Sequence, residues 1–308
     1  MPISVMIDQI LVLFILMALG YGLAKYKVID THLSQKLTWL LCYIVMPCLI
    51  LKAFQIPFSP KMLHNFLVML VVTIAIHIVY IILSKLLFNK KTLKDESLIV
   101  PMQFTSVYSN CGFMGIPLVA AISHSGVFYG SVYIAINGLF MWTHGLLTYT
   151  GKIDRKALAK VLLNPNTIMA IVGIIFFIGS VKLPTPIVST LGYIGSMNTA
   201  LSMLVVGAAM TQIDLKKIFI NGMAWVSTFA RNLVFPGIVL AGLIMAGINN
   251  QLLVIAIILS ACPVAGMSVL FAQLTGRNTV FPCISLTLST IMSMVSIPVL
   301  LALAALAN

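Results

Sequence analysis

The stretch Asn110-Cys111-Gly112-Phe113-Met114-Gly115-Ile116-Pro117 sits inside residues 97–151, a run without one formally charged side chain. So apolar a run must be buried in protein or lipid, yet its centre holds an amide, two glycines and a proline. Proline removes a backbone donor and clashes with the preceding turn, and glycine weakens a helix further. Broken backbone at membrane depth is tolerated only where protein buries it or where it lines a wet cavity. A second interruption, Cys262-Pro263-Val264-Ala265-Gly266-Met267-Ser268, lies in the uncharged run 232–276. At an offset of 151, Ser109-Asn110-Cys111 with Gly115 falls on Ser260-Ala261-Cys262 with Gly266. Paired breaks in corresponding segments of two halves are the sequence pointer to a transporter's binding site.

The whole chain fits that setting. Of 308 residues, 61% are apolar and 8% charged, and the mean hydropathy is +1.12. A soluble domain carries roughly 25% charged residues, so this surface must face lipid. The apolar runs are continuous rather than alternating, which predicts helices and not a barrel. Counting stretches of about 20 residues, the length that crosses ~30 Å of hydrocarbon, predicts ten transmembrane helices. They fall near 3–24, 34–55, 62–84, 97–122, 127–149, 161–181, 187–210, 218–247, 250–274 and 278–306. The two long uncharged runs are divided at His124-Ser125-Gly126 and at Gly247-Ile248-Asn249-Asn250, both rich in turn residues. The N-terminus shows neither a basic leader region nor a small-residue cleavage site, so the first span reads as permanent.

Charge sets the orientation. Loops after odd-numbered spans hold 14 Lys and Arg, whereas even-numbered loops and termini hold only Lys52, Lys61 and Lys182. Positive residues stay in the cytoplasm, which places both termini outside the cell membrane. The same distribution explains the net charge of +12 without a nucleic-acid partner. The basic loop 150–165 then divides the chain into 1–152 and 153–308, each with five spans. An odd number per half inverts the second repeat relative to the first, the layout of many secondary transporters. The expected fold is thus an all-α polytopic membrane protein of two inverted five-helix repeats, broken in helices 4 and 9.

The six acids are Asp8, Asp30, Asp95, Glu96, Asp154 and Asp214, all at span ends or in loops. No carboxylate therefore lies in the interior to hold a cation. Arg231 lies near the midplane, where it reads equally as a substrate cation and as a cap on the carbonyls of a broken neighbour. Asn110 offers an amide donor and acceptor to a carboxylate, or else an interhelical bond. His77 and His144 are the interior groups able to titrate near neutrality, although a lone interior histidine usually serves structure. Pro47, Pro236 and Pro298 are hinges or simple kinks. The five cysteines lack CxxC spacing, which predicts neither a disulfide framework nor a metal site. No cofactor is expected. HExxH, GxSxG and an interior acidic dyad are missing, which argues against an enzyme. An anion channel is the alternative to a carrier, and it would need a ring of charges or a filter motif.

Asn110 through Leu118 resembles the span-4 signature of the auxin efflux carrier family. Val45-Met46-Pro47, Arg231 through Pro236, and Pro263 followed by Phe271-Ala272 are similar to its motifs in spans 2, 8 and 9. The resemblance implies scaffold and transport domains each drawn from both repeats, with spans 4 and 9 crossing at their prolines. It further implies elevator-type alternating access, a homodimer, and small organic anions as substrates: mono- or dicarboxylates such as indole-3-acetate, malate or malonate. The resulting substrate-site set is Asn110, Cys111, Gly112, Met114, Gly115, Pro117, Pro263, Val264, Gly266 and Arg231. Two departures from the plant members stand out. The central loop is short, as in a prokaryotic member, and the acid and lysine of their third span are neutral here, near Met69 and Thr73. The orientation is testable on a background with all native cysteines replaced by serine. Lys90→Cys should react with an impermeant maleimide only in inverted vesicles, and Lys182→Cys only in intact cells.

Overall fold

Asp30 and Asp95 show why the acids sit at span ends: each is a helix N-cap. The Asp30 carboxylate accepts from Leu33 N at 2.7 Å, and Asp95 accepts from Ser97 N at 3.0 Å, in each case pairing an amide the helix leaves orphaned. The computed structural model describes residues 3–123, 125–151, 163–212, 215–248 and 250–306. Helices α1 (Ile3–Lys25), α2 (Thr31–Ala53) and α3 (Pro60–Leu87) open the chain. Helices α4 (Ile99–Val107), α5 (Cys111–Ile122) and α6 (126–150) follow. Next come α7 (Pro165–Ile178), α8 (Thr185–Ala209), the short α9 (Leu215–Ile220) and α10 (Gly222–Met245). The last are α11 (Asn250–Ala261), α12 (Met267–Leu274) and α13 (Val280–Leu306).

Among the described residues, six helices are long and apolar enough to cross a membrane: α1, α2, α3, α8, α10 and α13. The protein is thus all-helical and multi-pass. Large apolar side chains point outward on several of them, Ile15, Val71 and Val295 each being about two-thirds exposed, as lipid contact requires. The stretches expected as spans 4 and 9 are each two helices, α4 with α5 and α11 with α12. None of these arms has the roughly 20 residues that a crossing demands. Helix α6 is long but more polar, carrying Ser131, Asn137 and His144. The turn residue His124, the basic loop 152–162 with the boundary at 152, the start of span 6, and Asn249 lie outside the described residues. Gly247 ends α10 as expected. Its φ of +67° lets Ile248 N donate to Leu243 O at 3.1 Å, a closure that an L side chain would strain.

Pro47, Pro117 and Pro236 share one local solution. Each is the second residue after a five-residue π-turn: Leu41–Val45, Cys111–Gly115 and Ala230–Val234. Proline cannot donate and crowds the carbonyl four residues back. A widened turn shifts that carbonyl, and Met46 N and Phe235 N donate five residues back, to Leu41 O and Ala230 O. Pro298 lies inside α13 without such a turn.

The residues sort into two compact units, one of 1–70, 112–135 and 160–212, the other of 71–111, 136–159 and 213–308. Unit 1 is organised by backbone approach of α1 to α8. A Cβ on Gly207 would lie 1.9 Å from Met17 O, and one on Gly20 would lie 2.3 Å from Leu204 O. Small residues permit such contact, which drives helix association in lipid by packing. Phe54 meets Phe128 at 4.9 Å and Phe66 at 5.9 Å between ring centroids, filling the space beside Gly173. Gly207→Val should therefore separate α1 from α8 and cost about 1–3 kcal/mol. A thermal melt of the purified variant in detergent measures this; an unchanged Tm would mean the helices part freely.

Candidate functional site

Unit 2 holds the crossing of the two interrupted segments. Helix α4 stops at Val107, and Tyr108 is extended, with φ −97° and ψ 120°. From the second half, α11 stops at Ala261 and gives way to Cys262 through Gly266. The two extended pieces meet as an isolated antiparallel bridge, Ser109 against Val264. Asn110 N donates to Pro263 O at 2.8 Å, and Ala265 N donates to Tyr108 O at 2.9 Å. Two strands of a few residues thereby pair each other's backbone where no helix can. Ser109 and Val264, the bridged pair, are 155 positions apart (264 − 109).

An antiparallel pair satisfies only one edge of each strand, so the outward groups need partners from behind. Ser109 O accepts from Asn137 Nδ2 of α6 at a long 3.5 Å. Asn137 Oδ1 in turn faces His77 Nε2 of α3 at 3.1 Å, and His77 Nδ1 lies 2.8 Å from Thr73 O. On the other strand, Val264 N donates to Ser289 Oγ of α13 at 3.0 Å. Asn232 of α10 donates through Nδ2 to Ser289 O at 2.9 Å. His77, Asn137, Asn232 and Ser289 are all buried.

Arg231 closes the assembly. It is fully buried, a costly position for a cation unless hydrogen bonds compensate it. Its Nη2 donates to Ser260 O at 2.8 Å and Cys262 O at 3.0 Å, at the end of α11. Its Nη1 donates to Val107 O at 3.2 Å and Ser106 O at 3.4 Å, at the end of α4. Each helix C-terminus carries about half a negative charge, so one guanidinium neutralises two dipole ends. The Tyr80 ring lies 5.4 Å from its Cζ, adding a cation–π contact. Of the two readings left open by the sequence, the observed bonds match the carbonyl cap.

Among the expected site residues, Asn110, Pro263 and Val264 meet at the bridge, with Arg231 behind it. Asn110 is half-buried, and its side-chain amide has no protein hydrogen bond among the described residues. Gly266, at the start of α12, is exposed, and a Cβ there would meet only Leu286, at 3.8 Å. Cys111 is buried in the same unit. Gly112, Met114, Gly115 and Pro117 fall in unit 1, where Gly112 faces the Met46 side chain. Ser202 Oγ there donates to Phe113 O at 2.9 Å. Reasoning from the sequence missed Asn137, Asn232 and Ser289. Two of them are amides within apolar helices, a signal that was present, but a serine in α13 has too many equals to be noticed.

Removing the guanidinium should leave several buried carbonyls unpaired. Arg231→Gln should cost about 2 kcal/mol or more in stability, lowering Tm. Arg231→Lys should fall with it, because one ammonium lacks the two-pronged fork that spans both helix ends. A lysine variant as stable as the wild type would show that charge suffices.

The membrane transport protein family model matches residues 5–152 and 148–301. An uncharacterized transporter of Methanocaldococcus jannaschii is 27% identical over 221 residues, 68% of this chain and 70% of that protein. The family match spans almost the whole chain, including the crossing and the arginine that caps it. The chain therefore belongs to the membrane transport protein family, that of the auxin efflux carriers, and is a membrane transporter.

Proposed function

We propose that this protein is a secondary transporter of a small organic anion, a mono- or dicarboxylate of the malate, malonate or auxin type. The observation that carries the reading is the Asn110 amide, half-exposed and without a protein hydrogen bond among the described residues, beside a crossing whose backbone groups are largely engaged. An amide both donates and accepts, which suits a carboxylate oxygen and its neighbour. Helices α5 and α12 begin at the crossing, so their N-terminal dipole ends favour a negative ligand there. With no acid in the interior by sequence, nothing opposes that charge.

The inverted-repeat reading draws support from the ties of the crossing. Ser109 and Val264 are 155 positions apart, and so are His77 and Asn232, which stand behind them through Asn137 and Ser289. One arrangement, helix to helix to crossing backbone, thus recurs in both halves. Each compact unit also draws on both halves of the chain. We assign unit 1 as the scaffold and unit 2 as the moving transport domain of an elevator, in a homodimer in the cell membrane with both termini outside. Moving the crossing as a body keeps its bonds intact, which bending it in place would not.

Purified protein in liposomes should exchange external for internal radiolabelled malonate or malate with saturable kinetics. Asn110→Ala should lower that exchange at least tenfold with an unchanged Tm. No exchange across a panel of mono- and dicarboxylates would overturn the reading, and wild-type rates in Asn110→Ala would remove the amide from the site.

A further inference from the structure

The tie behind Ser109 poses a donor–acceptor problem that its counterpart behind Val264 does not. Its two ends, Thr73 O and Ser109 O, are carbonyls and can only accept. Between them stand His77 and Asn137. Thr73 O requires a proton on His77 Nδ1, and Ser109 O requires the Asn137 NH₂. That amide orientation turns Oδ1 toward His77 Nε2, which must then carry a proton as well. Turning the amide round lets its NH₂ donate to an unprotonated Nε2, but sets Oδ1 against Ser109 O, acceptor to acceptor. The row is fully satisfied only when the imidazole holds both protons. Ser289, in contrast, accepts at Oγ from Val264 N while donating to Leu286 O at 3.0 Å. A hydroxyl does both without titrating.

We propose that His77 is a proton-binding site of the transporter, and that a proton arriving at Nε2 turns the Asn137 amide and fastens the Ser109 carbonyl beside Asn110. His77 is buried. Phe140 of α6 stacks on it at 5.2 Å and 17°, and Thr73 and Tyr80 share its helix. From α10 the charged group acting on it is Arg231, which α4 and α11 hold by their terminal carbonyls. With His77 neutral and its proton on Nδ1, where Thr73 O lies at 2.8 Å, the crossing loses its backing bond at Ser109 O and keeps that at Val264 N. Proton occupancy and occupancy at Asn110 are then linked, each changing the affinity for the other by the same factor. The link to transport rests on the carrier reading above, whereas the proton chemistry of His77 does not.

Nitrogen NMR of protein labelled at the histidine rings, in lipid nanodiscs from pH 5 to 8.5, tests this directly. The His77 signal is identified by its loss in His77→Gln, or by elimination from the His32, His64, His124 and His144 variants. Its Nε2 should pass from the unprotonated to the protonated position within that range. A ring that stays singly protonated throughout would overturn the proposal, whatever the protein transports. In liposomes, malonate exchange should vary at least fivefold between pH 5.5 and 8, and Asn137→Ala should flatten the profile by cutting the tie. An unaltered profile in that variant would also overturn it. If malonate and other carboxylates are not exchanged while the His77 ring titrates, the carrier reading fails and the proton site stands.

Discussion

A polypeptide that leaves helical geometry inside a bilayer exposes amides and carbonyls where water cannot pair them, at several kcal/mol for each orphan. Arg231 is the group on which this protein's solution depends. Helices α4 and α11 both end at the crossing with carbonyls aimed into the protein, and the guanidinium satisfies both ends together. The planar fork matters as much as the charge, since bonds in two directions must come from one side chain. Burying a cation and burying two helix C-termini are each unfavourable; combined, each removes the cost of the other.

The antiparallel bridge handles the next few residues by the same logic. Asn110 N and Ala265 N find carbonyls across the pair, and side chains from α6 and α13 reach the outward edges. Among the described residues the half-exposed Asn110 side-chain amide has no protein partner, and behind it Ser109 Oγ, Arg231 Nε and Asn232 Oδ1 are buried without one.

The prolines belong to the same economy. Pro47, Pro117 and Pro236 each follow a π-turn, which moves the displaced carbonyl away from the ring and keeps the helix running. The turn that precedes Pro236 contains Arg231 itself. The proline's π-turn and the arginine cap are therefore one local distortion, and a change at Pro236 would be felt at both broken helices.

Charge scarcity and continuous apolar runs were enough to establish a helical membrane protein, because lipid permits few other backbones. The glycines and prolines at 110–117 and 262–268 marked the interruptions, since those residues alter backbone bonding wherever they stand. The acids Asp30 and Asp95 were legible as span-end residues, and the structure shows them to be helix N-caps. The tertiary structure decided the rest. The register of Ser109 on Val264 depends on backbone pairing across 155 positions, which no side-chain overlay reports. The choice between two roles for Arg231 required seeing which carbonyls surround it. Asn137, Asn232 and Ser289 became visible as ties only once their helices were placed behind the crossing. Composition and local chemistry are carried by neighbours in sequence, but the partner of a buried polar group is set by which distant segment packs against it.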